Sequence, residues 1–282
     1  MKKRVVTMLL AAAMMTAFAG CGNEQSPSSS QNQEAPKEEQ VTLRVGMGTS
    51  VPFGYLDENE KPAGFVVDLW EEIGRRTGYN MDIQYIDGTD AQYASMDSDK
   101  IDILGGQQTI RESIKDKYNF TIPYGYNEIF LVSLKGKPYE SIEDLHGLNV
   151  CIDAGGKLAE FFNGYNESLP EGEEKINLVF TEGSLLENLK LDRFQAFPWN
   201  IVAFEKQQRE GKADDYQMFG EPIIVEQNVF PVNKNVSPEV LDKINETIQE
   251  MLDDGSLKEL SEKWFVRDIT TPFSAATEEI AK

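Results

Sequence analysis

At 282 residues the chain exceeds one small module and suffices for two domains at the usual about 100–200 residues each. Its 27 Lys+Arg against 48 Asp+Glu give a formal charge of −21, which repels phosphate backbones and excludes nucleic acid as a partner. Two cysteines and one histidine are too few for a Cys/His zinc site, a disulfide framework or multi-histidine metal chemistry, so neither a metal nor a cofactor is expected.

The chain opens with Lys2, Lys3 and Arg4, and no further charge occurs before Glu24. The apolar run from Val5 to Ala19 is short for a membrane span and ends in small residues, the outline of a signal peptide over 1–20. Its close, Ala17-Phe18-Ala19-Gly20-Cys21, resembles the bacterial lipobox, whose cysteine is lipidated and becomes the mature N-terminus. The expectation is a lipoprotein held at the extracytoplasmic face of the cell membrane through Cys21 and palmitate-type acyl chains. Removing 1–20 leaves 24 Lys+Arg against 48 Asp+Glu, so the mature chain is more acidic still. Residues 21–40 contain no large apolar side chain and cannot offset the entropy of ordering; they read as a flexible tether.

From Val41 onward short strands alternate with amphipathic helices. Val41, Leu43 and Val45 alternate as in a strand, and Phe65, Val66, Leu69, Trp70 and Ile73 recur at helical spacing up to a stop at Gly78. Met81, Ile83 and Tyr85 form the next strand, and Ile101 to Leu104 a buried one. The β-α-β order implies parallel strands with crossover helices. The pattern restarts at Leu148–Ile152, with a helix opened by Gly155-Gly156, a strand at Leu178–Phe180, a helix capped by Ser184 and a strand at Gln195–Phe197. Ser237-Pro238-Glu239 starts a helix whose apolar face is Val240, Leu241, Ile244, Ile248, Met251 and Leu252, ended by Gly255. A last helix from Ser256 presents Leu257, Leu260 and Trp264, and 271–282 reads as a loose C-terminal tail.

Several motifs stand in order along this region: Gly64-Phe65 with Val67-Asp68-Leu69, Lys100-Ile101-Asp102-Ile103, Phe120-Thr121 with Pro123-Tyr124, Ile142-Glu143-Asp144-Leu145 with Gly147 and Val150, Gly220-Glu221-Pro222, and Asp254-Gly255-Ser256-Leu257 leading to Lys263-Trp264-Phe265. On these the chain from Val41 to Arg267 resembles a family 3 extracellular solute-binding protein, the amino-acid class of ABC-importer receptors. The resemblance implies a periplasmic-binding-protein type II fold, an α/β fold of two lobes. Each lobe is a mostly parallel sheet flanked by helices, and two crossover hinge strands join them. Lobe one would comprise 41–126 and 225–270, lobe two 127–224, with hinges near Tyr124–Asn127 and Ile224–Gln227. It further implies a monomeric, non-enzymatic receptor that passes a small solute to an ABC permease.

The same resemblance implies an arginine for a ligand carboxylate, an aspartate for its ammonium and a Gly-Ser/Thr-Thr turn. This sequence departs at each. Ile114 stands where the arginine is expected, Asn200 where the aspartate is expected, and the turn reads Gly155-Gly156-Lys157. Two readings stay open. Either Arg111 or Lys157 has taken over the anionic anchor, or the ligand lacks one or both zwitterionic charges and Gln107, Gln108, Thr109, Trp199 and Asn200 supply neutral hydrogen bonds and stacking. Phe53 is the aromatic candidate for a cleft wall, and Gly106, Gly155 and Gly156 complete the expected binding set. His146 reads as an exposed turn residue and Cys151 as a buried small hydrophobe. A cyclohexadienyl-dehydratase-like enzyme on the same fold, or a sensor input module for a separate signalling partner, are the alternatives to a transport receptor.

Overall fold

The computed structural model describes residues 40–153, 156–265 and 267–273; the expected signal peptide, Cys21, the tether up to Glu39 and Gly155 lie outside them. Strand β1 (Thr42–Met47) directs Leu43, Val45 and Met47 into the core. A two-residue hairpin, β2 (Tyr55–Leu56) and β3 (Pro62–Ala63), leads to α1 (Phe65–Thr77). The turn into α1 requires glycine: Gly64 has φ 118°, and a Cβ there would come within 2.5 Å of the Phe53 carbonyl oxygen. The helix stops at Gly78 in the left-handed region, whose N–H donates to Gly74 O, as the sequence indicates.

Strand β4 (Asn80–Tyr85), α2 (Thr89–Asp97) and β5 (Ile103–Leu104) follow. Both β4 and β5 pair parallel with β1. Helix α2 has no counterpart in the sequence reading, because only Gln92 and Met96 are buried and no apolar stripe marks it. Beyond the short β6 (Gln108–Thr109) and β7 (Asn119–Phe120) runs the long β8 (Gly125–Leu134). After β9 (Asn149–Cys151) come α3 (Gly156–Ser168), β10 (Asn177–Val179), α4 (Leu185–Lys190), β11 (Phe197–Asn200), α5 (Ile201–Arg209) and β12 (Tyr216–Val229). The chain returns through β13 (Pro231–Val232), α6 (Pro238–Asp253) and α7 (Ser256–Trp264).

One sheet runs β4-β1-β5-β13-β7, a second β11-β8-β12-β6, and β9 pairs with β10. Each lobe is expected to be mostly parallel; among the described strands β1–β4, β1–β5 and β9–β10 are parallel, while the pairs within the four-stranded sheet are antiparallel. The reason is chain direction: β8 leaves the first sheet and β12 returns to it, so neighbours with opposite courses must pair antiparallel. The expected hinge residues lie side by side in this ladder, with Glu226 opposite Asn127 and Gln227 opposite Tyr126.

The largest core joins β1, α1, α6 and α7 around Trp70, Phe65, Ile244 and Met251. Tyr124 stacks on Phe230 at 4.3 Å within it, and burial pushes its phenol far above the ordinary range. A second core surrounds Leu131, Val150 and Phe162, and a third surrounds Phe194, Phe197 and Phe204. Two expectations need correction. The segment expected to be loose from Thr271 is held as far as Phe273, whose N–H donates to buried Glu128 at 2.7 Å and whose ring meets Phe130 edge-on at 5.4 Å. His146 is 21% exposed, not free in solvent, because its Nε2 lies 2.8 Å from the Tyr165 hydroxyl and its Nδ1 3.4 Å from Glu173.

The joint between α1, α6 and α7 is ionic. Arg76 bonds Glu72 at 2.7 Å, Asp254 at 2.7 Å and the Ser256 hydroxyl at 2.8 Å. Hydrogen bonds from Arg75, with Arg76 behind them, hold the Glu72 carboxyl at about 2 against its ordinary 4.5; Ser256 first, then Arg76, bring Asp254 to about 2. Folded values below unfolded ones mean stability that is present above about pH 4.5 and lost as pH falls towards about 2. Arg76→Gln is therefore expected to reduce stability at neutral pH and to flatten the loss on acidification, read as urea midpoints at pH about 7 and about 3; an unchanged acid slope would show that the network does not carry it.

Candidate functional site

In sheets with parallel strands, ligands collect beyond the carboxyl ends of the strands, where loops and helix starts converge. Here β1 runs out into Ser50–Phe53, β5 runs on into Gln107–Arg111, and β11 ends at the start of α5. These segments enclose a cavity of about 610 Å³ lined by Ser50, Val51, Pro52, Phe53, Thr89, Gln107, Gln108, Thr109, Arg111, Asn127, Asn200, Val202, Ala203, Lys206 and Gln207. That volume suits a small metabolite.

The lining is organised by hydrogen bonds. Ser50 Oγ donates to Gln107 Oε1 at 3.2 Å, and the Tyr93 hydroxyl donates to Gln108 Oε1 at 3.0 Å. Arg111 Nη2 in turn donates to the Tyr93 oxygen at 2.6 Å, and its guanidinium lies 5.4 Å from the centre of the Tyr93 ring. Asn200 caps α5: its Oδ1 accepts the Ala203 N–H at 3.0 Å, satisfying one of the amides a helix start leaves open. Its Nδ2 donates to Asn127 Oδ1, and Asn127 Nδ2 donates to Glu226 Oε2 at 3.1 Å. Glu226 closes the chain by pairing with Lys157.

Phe53, Gln107, Gln108, Thr109, Arg111 and Asn200 of the expected set are thus brought to one cavity. Phe53 contributes as a fixed wall, 5% exposed and packed on Phe265 at 4.8 Å. The other described members of the set stand elsewhere. Lys157 lines a neighbouring cavity of about 350 Å³ with Tyr126 and Gln227, its charge matched by Glu226. Trp199 packs between Phe197 and Phe204 at 5.4 and 5.7 Å. Gly106 is buried beside the backbone of Met47 and Gly48, and Gly156 begins α3 at φ 79°. Ile114, at the position of the expected arginine, is buried against Met96, Ile101, Leu104 and Tyr118. Cys151 is buried, as expected.

Among the polar lining residues, the expected binding set lacks Ser50, Thr89, Asn127, Lys206 and Gln207. Lys206 and Gln207 belong to α5, whose signal was present: a capping Asn200 followed by the buried Ile201, Val202 and Phe204. Asn127 carries no local signal, since it enters the site through the pairing of β8 with β11 and β12. Among the described residues, no group of three His, Cys, Asp or Glu side chains is placed to hold a metal ion.

The family described as bacterial extracellular solute-binding proteins, family 3, matches residues 43–267. The probable amino-acid-binding protein YxeM of Bacillus subtilis is 30% identical over 275 residues, 96% of this chain and 98% of that protein. The putative amino-acid ABC transporter-binding protein PatH of Vibrio harveyi is 30% identical over 81% of this chain and 90% of its own. Among solved structures, the probable amino-acid ABC transporter extracellular-binding protein ytmK of Bacillus subtilis superposes with a TM-score of 0.68 at 25% identity, covering 80% of this chain and 98% of that one.

The cap at Asn200 gives a direct check. Asn200→Ala is expected to lower the unfolding free energy by about 1 kcal/mol and Asn200→Ser by less, because a hydroxyl still accepts the first-turn N–H. Equal losses in chemical denaturation would place the effect on the Asn127 bond instead of the cap.

Proposed function

The chain belongs to the bacterial extracellular solute-binding proteins of family 3, and we propose that it is the receptor of an ABC importer, capturing a small polar solute between its two sheets and presenting it to a membrane permease. The observation that carries this reading is the lining of the 610 Å³ cavity, which gathers hydrogen-bonding side chains from segments far apart in sequence around one small-molecule-sized space. Ligand that contacts both sides stabilises the arrangement that buries it, and differential affinity for that arrangement drives closure about β8 and β12. The family and the relatives that the chain resembles are described as binding proteins, which supports binding over turnover. The relatives named as amino-acid-binding proteins support an amino acid or a related compound as the solute.

Location follows from the N-terminal sequence. Cleavage before Cys21 and its acylation would tether a monomeric receptor to the outer face of the cytoplasmic membrane, the tether of about twenty residues allowing reach over a few tens of ångströms.

A thermal-denaturation screen against a low-molecular-weight extract tests the receptor reading. A solute at 100 times its Kd adds about 2.7 kcal/mol, which for a domain of this size raises the melting temperature by several degrees. No shift with any fraction would overturn the reading. Detergent phase partitioning tests the anchor: the native protein is expected in the detergent phase and Cys21→Ala in the aqueous phase.

A further inference from the structure

The charge of the cavity is reversed relative to the chain. Asp and Glu make up 48 of 282 residues, yet none lines the cavity, while Arg111 and Lys206 both do. Neither cation has an ion-pair partner within 4 Å among the described residues. The acids beside them in sequence are turned elsewhere, Glu112 to Lys115 and Glu205 to Arg267. Among the described residues the one carboxylate hydrogen-bonded to the lining, Glu226, is paired with Lys157.

The uncharged groups point the same way. An ammonium is best matched by a carboxylate, and the lining offers only neutral acceptors. Of its five amide oxygens four already accept a hydrogen bond, Gln107 from Ser50, Gln108 from Tyr93, Asn127 from Asn200 and Asn200 from the Ala203 N–H, and the fifth belongs to Gln207. The amide NH2 groups of Gln107 and Gln108 have no hydrogen-bond partner among the described residues and remain free to donate. The cavity therefore presents positive charge and amide donors, and no carboxylate. An ammonium there would find neutral acceptors but no counter-charge and would face two cations, whereas carboxylates would find a guanidinium fork, an ammonium and amide donors.

We propose that the cleft selects a dicarboxylate without an ammonium group, such as an N-acylated acidic amino acid, in preference to a free α-amino acid. The proposal rests on the receptor reading above. One carboxylate pairs with Arg111 and the second with Lys206, so that two segments distant in sequence are bridged by a single solute. Acylation of the α-nitrogen removes the charge that the cavity does not accommodate and leaves a carbonyl to accept from Gln107 or Gln108.

Titration calorimetry on the purified chain with N-acetyl-L-glutamate, L-glutamate and L-cystine separates the outcomes. N-acetyl-L-glutamate and L-glutamate share both carboxylates and differ only at the nitrogen. The acylated compound is expected to bind at least about tenfold more tightly, with an affinity that falls as salt is raised. Arg111→Gln and Lys206→Gln are each expected to weaken it by about tenfold, and Lys206→Gln to do so without lowering the melting temperature of the unliganded protein, since no carboxylate among the described residues lies within 4 Å of Lys206. Equal or tighter binding of L-glutamate or L-cystine would overturn the proposal while leaving the receptor reading intact. So would failure of all three compounds when a metabolite extract still raises the melting temperature. If the extract has no effect either, both readings fall.

Discussion

The antiparallel ladder between β8 and β12 is the constraint on which the rest of the molecule depends. It runs from Gly125 opposite Asn228 to Leu134 opposite Tyr216, with an irregularity between Phe219 and Ile224. Its edges receive the two strands that bring binding groups. On one side β6 pairs Thr109 with Asn228 and Gln108 with Val229; on the other β11 pairs Asn200 with Ile129. Asn127 sits between them. Hydrogen-bond register thus places Gln108, Thr109, Asn127 and Asn200 around one cavity although they come from different stretches of chain. A shift by one residue would turn each to the opposite face.

The ladder also passes polar linkage from side to side. Asn200, Asn127, Glu226 and Lys157 form one hydrogen-bonded series across β11, β8, β12 and the start of α3. Its effect is to consume groups that a ligand could otherwise use: the Lys157 charge is matched, and the oxygens of Asn127 and Asn200 are engaged. The cations left for a solute are Arg111, steadied on Tyr93, and Lys206 on α5. Separating a neutralised structural series from an unpaired cationic cavity lets an acidic protein present a locally positive site. In a site of low dielectric such a local imbalance outweighs the distant surface charge, which solvent and salt screen.

Much of the fold was legible because burial leaves a periodic trace. The apolar stripe of α1, its stop at Gly78, the Ser237-Pro238 start of α6 and the alternation of β1 and β4 were readable, since each depends on neighbours within a few residues. Helix α2 was not, because only two of its side chains are buried and its face has no stripe to read. Gln107, Gln108, Thr109, Arg111 and Asn200, expected at the cleft through the order of motifs, line the cavity. Lys157 and Trp199 were expected there too, yet an ion pair with a distant strand holds one and an aromatic cluster the other.

By itself, then, the sequence determined the strand and helix alternation, the acidic balance, the basic and apolar character of residues 1–20, and the loss of the expected charges at Ile114 and Asn200. Each is a property of composition or of short-range spacing. Only the tertiary structure decided which polar groups remain available to a solute. Availability depends on whether a partner from elsewhere in the chain has already taken the charge or the lone pair. Glu226 reaches Lys157 across 69 residues, and Asn127 reaches Asn200 across 73. Spacing along the chain holds no record of either encounter: the pairing of β11 with β8 brings Asn200 to Asn127, and the meeting of the start of α3 with β12 brings Lys157 to Glu226.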